Sequence, residues 1–417
     1  MKRHYSGTPR ETIPLRILDF FIDIYVRWFY RKREKGAIAA TPKVLIASLG
    51  HMGDALTVSY LFPIIREKYP NAIIDIISPS WCRAVNEHNP YIRHILVIDH
   101  YLSNRSKISW WQKVKRHYQT FKEALPVLRR EEYDFYLDVR TSYGVSHFVL
   151  PFTHVKRAVG FNRRGMGSFL DVELEIPRQD GNYHHFEAYA ALLKEIGIEV
   201  KLEDVVPYFP IDKAISSRSI ESKLAVKLLK PYILLFPETG ETHRQMSNSF
   251  WVGILKEVLL KSDYSVVLCG QTDLSAQIIN GIRQATEAQF PERVVDASKI
   301  LSIQELAFLS TQADYALTLD SFPEHLCCIF CETITIYKAS GLPFFPIANH
   351  PVLLFHTHVL SKGVDYVRRN VKVMYCEKLE TPEVSRIIVE KITTEDKVDV
   401  APRTGISVIP KHPQEPS

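Results

Sequence analysis

The sequence predicts an α/β protein built from two doubly wound, Rossmann-like domains with a cleft between them. Apolar runs of strand length alternate with helical patterns in two successive blocks, the first after Pro42 and the second after Pro231. Such alternation is typical of parallel sheets whose strands are joined by crossover helices. A length of 417 residues also suits two domains, each large enough to bury its own core.

The first block contains the clearest strand pattern. Its strands are predicted at Val44–Leu49, Ala72–Ser78, His94–Ile98, Phe135–Asp138 and Val155–Gly160. Apolar residues recur at helical spacing in two stretches, so helices are predicted over Asp54–Lys68 and His185–Ile196.

The second block repeats this alternation. Its strands are predicted at Tyr232–Phe236, Ser265–Cys269, Val294–Val295, Tyr315–Leu319 and Thr333–Tyr337. Its helices are predicted at Phe250–Leu260, Ser275–Ala288, Ile303–Ser310 and Glu324–Phe330. A last helix near Thr381–Ile392 is expected to return to the first half, and the proline-rich residues from 401 onward are expected to be disordered.

The domain boundaries follow from these patterns. An amphipathic, basic segment covers residues 1–41, the first domain 42–210, a linker 211–230, the second domain 231–375, and a C-terminal helix with its tail 376–417. The linker is placed where the pattern becomes mixed, just before Pro231.

The composition is that of a soluble globular chain, with 46% hydrophobic and 24% charged residues. A net charge of +5 is mild and does not by itself indicate a nucleic-acid partner, and no nucleic-acid-binding module is found.

The six cysteines are sparse, as expected of reduced thiols in a cytosolic protein. Cys328 and Cys331 form a CxxC without a second pair, and there is no Asp-x-Asp motif, so no metal is expected.

The N-terminal segment carries a candidate membrane helix. Ile17–Tyr30 is apolar except for a polar stripe of Asp19, Asp23 and Arg27, and the basic run 31–35 follows it. A helix that spans a bilayer needs about 20 apolar residues, and carboxylates within it are costly. We expect an interfacial helix on anionic lipid. A helix docked on the protein itself is the main alternative, whereas a signal peptide would have its basic run before the apolar stretch.

The most informative motif is the turn that follows the first strand. Val44–Leu49 leads into Gly50-His51-Met52-Gly53, and Asp54 is the first acidic residue after it. A carboxylate at this position lies at the carboxyl edge of an open sheet, where α/β folds place their ligands. Asp54 is therefore a site candidate, although an aspartate that merely caps a helix would have the same position.

Two polar turns follow strands of the second block, over residues 237–244 and 320–326. Free backbone N–H groups at a helix start, with a nearby hydroxyl and cation, suit a phosphate. The alternatives are an ordinary N-cap for Asp320 and Ser321, and a packed histidine for His325.

Taken together, these motifs resemble glycosyltransferase family 9, the heptosyltransferases of lipopolysaccharide core assembly, which have the two-domain GT-B fold. The first motif resembles the family's LGD entry, with Asp54 on its catalytic aspartate, and Asp320 to Leu326 is similar to its DSGPMHLA signature. This chain has Arg244 where the family has lysine, Phe322 in place of glycine and Glu324 in place of methionine. Other matching segments are Asn89–Ile92, Tyr133–Asp138, His185–Tyr189 and Ser302–Leu309.

The resemblance implies a nucleotide-diphosphate sugar in the second domain, an acceptor in the first, and inversion at the anomeric carbon. Asp54 would take the proton from the acceptor hydroxyl, which is a poor nucleophile near neutral pH. Arg244 and the helix start at Ser321 would stabilise the departing diphosphate. The expected donor contacts are Thr239, Arg244, Asp273, Leu301, Asp320, Ser321 and His325. The expected acceptor contacts are Gly53, Arg140 and Arg163.

The predicted function is that of an inverting, metal-independent glycosyltransferase on the inner face of the cytoplasmic membrane. The expected donor is ADP-heptose and the expected acceptor a lipid-linked lipopolysaccharide core or related surface glycan. One alternative is a different sugar nucleotide used on capsule or glycoprotein, and another is a catalytically degenerate, membrane-associated scaffold.

The segment Trp110–Tyr118 mixes tryptophan with cations. Such a mixture is expected at lipid headgroups or acceptor phosphates, and equally on a solvated helix face.

Overall fold

The computed structural model describes residues 5, 9–30, 36–141, 146–162, 165–175, 184–338, 344–357 and 370–394. The basic run 31–35 and the tail that was predicted to be disordered lie outside these ranges.

The first lobe is built on a six-stranded parallel sheet in the order β3-β2-β1-β4-β5-β6. Its strands are β1 (Lys43–Ala47), β2 (Ile73–Ser78), β3 (Ile92–Val97), β4 (Glu132–Asp138), β5 (His154–Phe161) and β6 (Val172–Leu174). The five predicted strands are confirmed to within a few residues at their ends. The sequence pattern missed β6, because three half-buried residues are too few to show a period.

The helices of the first lobe connect and cover these strands. They are α1 (Pro9–Trp28), α2 (Met52–Ser59), α3 (Leu61–Lys68), α4 (Arg83–Asn86), α5 (Trp110–Arg130) and α6 (His185–Lys194). We expected one helix from Asp54 to Lys68, but the helix begins at Met52 and breaks at Tyr60. Pro63 explains the break, because a proline has no N–H to donate to the Ser59 carbonyl and its ring crowds that carbonyl.

The second lobe is built on a seven-stranded parallel sheet in the order β13-β12-β11-β10-β7-β8-β9. Its strands are β7 (Tyr232–Leu235), β8 (Ser265–Leu268), β9 (Val294–Asp296), β10 (Tyr315–Leu319), β11 (Glu332–Tyr337), β12 (Val352–His356) and β13 (Val371–Tyr375). Its helices are α7 (Ser217–Leu224), α8 (Asn248–Lys261), α9 (Asp273–Thr286), α10 (Ile303–Ser310), α11 (Phe322–Cys327) and α12 (Pro382–Thr393). The strands β12 and β13 were not predicted.

The last helix differs from its predicted location. We expected it to return to the first half, but α12 packs on α8 in the second lobe. Its residues Val384, Ile388 and Ile392 share a hydrophobic core with Ile254 and Val258 of α8. An apolar stripe at helical spacing shows that a helix is buried but does not show against which partner.

The N-terminal helix docks on the first lobe through Asp19 and through Ile22, Val26 and the following Tyr30, which pack against the core of that lobe. Met166 donates its backbone N–H to Asp19 at 2.6 Å, and the Ser168 hydroxyl donates to Asp23. The opposite face is exposed, with Phe20 and Phe21 each 61% and Trp28 73% accessible. The buried side of this segment therefore combines Asp19 with Ile22, Val26 and Tyr30, while most of its other apolar side chains are exposed. Within the described residues, no helix combines the length and apolarity needed to cross a membrane.

Candidate active site

A cleft of about 1070 Å³ lies between the lobes, and residues of both line it. Each sheet reverses its strand order at one point, between β1 and β4 in the first lobe and between β7 and β10 in the second. Ligands of doubly wound folds bind at such switch points, outside the carboxyl ends of the strands. The turns that follow these four strands carry most of the predicted site residues, and the two sets lie on opposite walls of the same cleft.

Asp54 lies on the first-lobe wall, three positions after the N-cap residue His51 of α2. Its Oδ2 accepts the His51 backbone N–H at 2.7 Å and Nη1 of Arg140 at 2.9 Å. Arg140 follows β4, so the ion pair joins the two strands of the switch point. The carboxylate therefore caps the start of the helix and also remains 20% accessible to the cleft.

The ion pair controls the charge of Asp54. Burial alone would raise its pKa, but the Arg140 guanidinium and the His51 N–H outweigh burial and lower the pKa to about 2. Asp54 is consequently a carboxylate at neutral pH and can accept a proton from a hydroxyl that reaches it.

The histidines near this pair are neutral. Burial, and secondarily the charge of Arg105, lowers the pKa of His51 to about 4. Burial likewise lowers the pKa of His185 to about 3 and that of His325 to about 4. At neutral pH the first-lobe wall therefore presents the carboxylate of Asp54 rather than an imidazolium.

The two lobes meet at Gly53. A Cβ added to this residue would lie 3.6 Å from Cδ2 of His325 in α11 of the second lobe. The predicted acceptor residue Gly53 and the predicted donor residue His325 are thus neighbours across the cleft. The contact brings the start of α2, which carries Asp54, against the helix that follows β10.

The second-lobe wall is tied together by polar contacts between its two switch-point turns. Arg244 Nη1 donates to Oδ2 of Asp320 at 2.9 Å, and the Thr239 hydroxyl donates to the Asp320 carbonyl at 3.1 Å. Burial raises the pKa of Asp320, although Arg244 opposes this rise. Ser321 is the N-cap residue of α11 by position, but its hydroxyl donates to the Leu319 carbonyl at 3.1 Å. It does not cap the N–H groups of the helix.

Two polar atoms beside this wall are unsatisfied. Arg244 Nε and His325 Nδ1 are buried without a hydrogen-bond partner among the described residues, and both side chains line the cleft. Buried polar groups in native proteins almost always have partners. These two atoms are therefore available to hydrogen-bond a ligand in the cleft.

One predicted donor residue is in the wrong place. Asp273 is 89% accessible, pairs with Lys299 and does not line the cleft. Glu238, which the sequence analysis did not select, lines the cleft and accepts the hydroxyl hydrogen bond of Thr272. The sequence could have indicated Glu238, because this residue lies in the polar turn directly after β7, beside Thr239. Leu301 does line the cleft, as predicted.

Two further predictions need correction or lie outside the structure. Arg140 was expected at the acceptor surface, but it is buried and engaged with Asp54. Arg163 falls outside the described residues.

Glu324, which replaces the methionine of the family signature, is buried and accepts the Tyr337 hydroxyl at 2.9 Å. Burial raises its pKa well above the ordinary value, so the residue places no full negative charge on the second-lobe wall.

Several residues of the first-lobe wall were not predicted. Trp81 Nε1 donates to the Gly50 carbonyl at 2.9 Å, and Arg116 pairs with the buried Asp99 at 2.6 Å. Arg105 extends from the loop between β3 and α5. Trp81 and Arg105 belong to no motif, so only the fold brings them to the cleft. Arg116 lies in the segment Trp110–Tyr118, which was singled out for its cations, but it was not named as a site residue. Among the described residues, no three His, Cys, Asp or Glu side chains cluster as a metal site would require.

Comparison with solved structures agrees with this architecture. An E. coli ADP-heptose lipopolysaccharide heptosyltransferase II superposes with a TM-score of 0.61 at 15% identity, covering 84% of this chain and 98% of that one. An E. coli heptosyltransferase solved with ADP gives 0.57 at 14% identity, covering 78% and 95%. A family 9 glycosyltransferase from Veillonella parvula gives 0.63 at 13% identity, covering 78% and 88%. At such identities the likeness shows the fold, which is GT-B.

Sequence comparison identifies the family. The lipooligosaccharide heptosyltransferase 2 of Haemophilus influenzae is 22% identical over 289 residues, which cover 68% of this chain and 79% of the relative. The sequence profile of glycosyltransferase family 9 (heptosyltransferase) matches residues 124–372, more than half of the chain. Asp54 precedes that segment, so its role depends on the geometry described above. With this match, the chain belongs to glycosyltransferase family 9.

Proposed function

We propose that the protein is an inverting, metal-independent heptosyltransferase that uses ADP-heptose. The acceptor is the lipopolysaccharide core or a related lipid-linked glycan. The observation that carries the proposal is the carboxylate of Asp54 on one switch point, facing across a single cleft the Thr239, Arg244 and Asp320 cluster of the other. The relatives whose names specify ADP or heptose support this choice of donor.

In the proposed reaction the acceptor hydroxyl attacks the anomeric carbon of the donor sugar. Its proton moves to Asp54 as the new carbon–oxygen bond forms. The bond from the anomeric carbon to the diphosphate breaks, and its electron pair remains on the diphosphate oxygen. Arg244 would stabilise this negative charge, together with the start of α11, which the Ser321 hydroxyl does not cap.

The unsatisfied atoms of the second-lobe wall fit this donor. Arg244 Nε, a donor atom, suits a phosphate oxygen, and His325 Nδ1 can exchange a hydrogen bond with the sugar or diphosphate. Glu238 is the carboxylate that could hold ribose hydroxyls, since it lies in the cleft where Asp273 does not.

A donor screen tests the proposal. Transfer to glycans of an envelope extract is measured with ADP-heptose and with a panel of UDP- and GDP-sugars. We expect product only, or chiefly, from ADP-heptose. Product from a hexose donor alone would instead favour the capsule or glycoprotein alternative. Failure of every nucleotide sugar to bind a folded protein in calorimetry would favour the scaffold alternative.

We also propose that the exposed face of α1 lies on the inner surface of the cytoplasmic membrane. Asp19, which would oppose anionic lipid, is buried against the first lobe and Asp23 bonds to Ser168, while Phe20, Phe21 and Trp28 face outward. Aromatic side chains of this kind are favoured at the headgroup level of a bilayer. The exposed Trp111 at the start of α5 adds an aromatic group on the same lobe.

Replacing Phe20 and Phe21 together by serine should weaken sedimentation with vesicles of phosphatidylglycerol and phosphatidylethanolamine by roughly tenfold or more. Each phenylalanine loses about 1.5–3 kcal/mol of favourable apolar transfer. Leu260→Ser is the matched control, because Leu260 is an exposed apolar residue on α8 of the other lobe. Equal binding of the double variant and wild type would contradict the proposed membrane face.

A further inference from the structure

Arg105 of the first lobe reaches across the cleft to the second. Its Nη2 lies 3.5 Å from Oε1 of Glu241, which belongs to the polar turn after β7. In the same turn, a Cβ added to Gly240 would lie 2.8 Å from Nη1 of Arg105. The absence of a side chain at Gly240 therefore lets the guanidinium approach the backbone of the turn. The ion pair is exposed, with 59% of the Arg105 side chain accessible, so Arg105 can exchange Glu241 for another anion.

The guanidinium also acts on the acceptor side. Its charge is the largest electrostatic contribution to the lowered pKa of His51, the residue that caps α2 three positions before Asp54. Arg105 thus stands between the proposed base on one lobe and the phosphate-facing turn on the other. Arg244, which lines the second-lobe wall of the same cleft, already shares its charge with Asp320.

The chemistry requires a second cation at this place. When the bond from the anomeric carbon to the diphosphate breaks, the electron pair stays on the β-phosphate oxygen and increases its negative charge. The acceptor oxygen has meanwhile bonded to the anomeric carbon and its proton has passed to Asp54. A cation whose charge is half neutralised by a carboxylate stabilises that phosphate less than a free guanidinium does.

We infer that Arg105 is a further catalytic residue, supplied by the first lobe, whose guanidinium contacts the departing diphosphate in place of Glu241. This inference rests on the proposed function. It would also couple the lobes, because a cation of the first lobe would contact a phosphate bound on the second.

The test compares Arg105→Gln and Arg105→Lys with Arg83→Gln as the matched control. Arg83 is also a first-lobe arginine in an exposed pair with a glutamate, Glu87, but it does not line the cleft. Calorimetry measures binding of ADP, UDP and GDP, and of the corresponding monophosphates, and turnover is measured with the accepted donor. For Arg105→Gln we expect roughly tenfold weaker binding of the accepted diphosphate and a turnover lower by roughly tenfold or more. Monophosphate binding should change less than about twofold, because the missing contact is to the β-phosphate.

The lysine variant should recover part of both losses, since it keeps the charge but not the two-pronged donor geometry. Arg105→Gln with wild-type diphosphate affinity and turnover would overturn the role of Arg105 and leave the proposed function intact. Equal losses for monophosphate and diphosphate would also overturn it, by pointing to a structural effect. A folded wild type that binds none of the three diphosphates would overturn both this role and the proposed function.

Discussion

Replacement of Asp54 by asparagine should lower the rate of sugar transfer on the order of a hundredfold or more, while nucleotide binding stays near that of wild type. General-base catalysis contributes about 10²–10⁴-fold, and the amide keeps the size and the hydrogen bond to the His51 N–H but cannot take a proton. The rate is measured with saturating donor, and binding by calorimetry. The donor site lies on the other lobe, so only the rate should respond.

Asp263→Asn provides the matched control, because Asp263 is exposed on the second lobe and does not line the cleft. If Asp54→Asn transferred sugar as fast as this control, the base would have to be another group.

The pH dependence of stability tests the ion pair of Asp54 with Arg140 itself. A carboxyl whose pKa falls from 3.8 to about 2 on folding stabilises the protein above pH 3.8, and this contribution disappears as the pH falls through about 2. Wild type should therefore lose stability relative to Asp54→Asn only below about pH 4.

Substitution of Gly50 by alanine should cost about a hundredfold in rate, although it adds only one methyl group. The new Cβ would lie 2.5 Å from Nη1 of Arg140 and 2.7 Å from Cβ of Asp54, and would overlap the Asp54 carboxylate. The Asp54 Cβ is fixed to the backbone of α2, so rotation of side chains cannot relieve all of these overlaps. The carboxylate must move, and a displacement of about 1 Å in a catalytic group can cost about a hundredfold.

Gly253→Ala is the corresponding control for the loss of a glycine. It lies inside α8, and an added Cβ there would meet nothing within 4 Å. Alanine in a helix interior should stabilise the protein by about 0.5–1 kcal/mol without changing the rate. Thermal unfolding and nucleotide binding of Gly50→Ala establish that the lobe is folded. A wild-type rate for that variant would show that the Asp54 position tolerates movement and does not define the reaction.

The fold could be predicted because its strands are buried on both faces. Runs such as those of β1 and β10 are almost wholly apolar, and the helices between them repeat with their own period. The prediction failed where the pattern was short or polar, as in β6 and β13, and it also missed β12, although Val352–His356 is wholly buried and mostly apolar. β6 has three residues, and β13 is half-exposed and contains Lys372. The packing of α12 on α8 was beyond prediction because it depends on which apolar surface remains uncovered.

Site residues close behind a predicted strand could be found from the sequence, whereas contacts between distant residues could not. Asp54 follows a strand directly, and so do Thr239 and Asp320, so their positions could be inferred from the strands themselves. The pairing of Asp54 with Arg140 joins residues 86 positions apart and could not be inferred from either one. Asp273 was selected for the same reason as Asp54, since it follows a strand and turn, but its side chain points to solvent. A position after a strand restricts where the backbone lies but does not fix the direction of a side chain.

The exposed aromatic side chains of the N-terminal helix have a practical consequence. Two phenylalanines and a tryptophan that project from a folded lobe form the kind of patch that associates with whatever apolar surface is available. During extraction from cells, that surface is detergent or another molecule of the same protein. Aggregation at high concentration would then be caused by the exposed aromatic residues of the helix and not by a misfolded core.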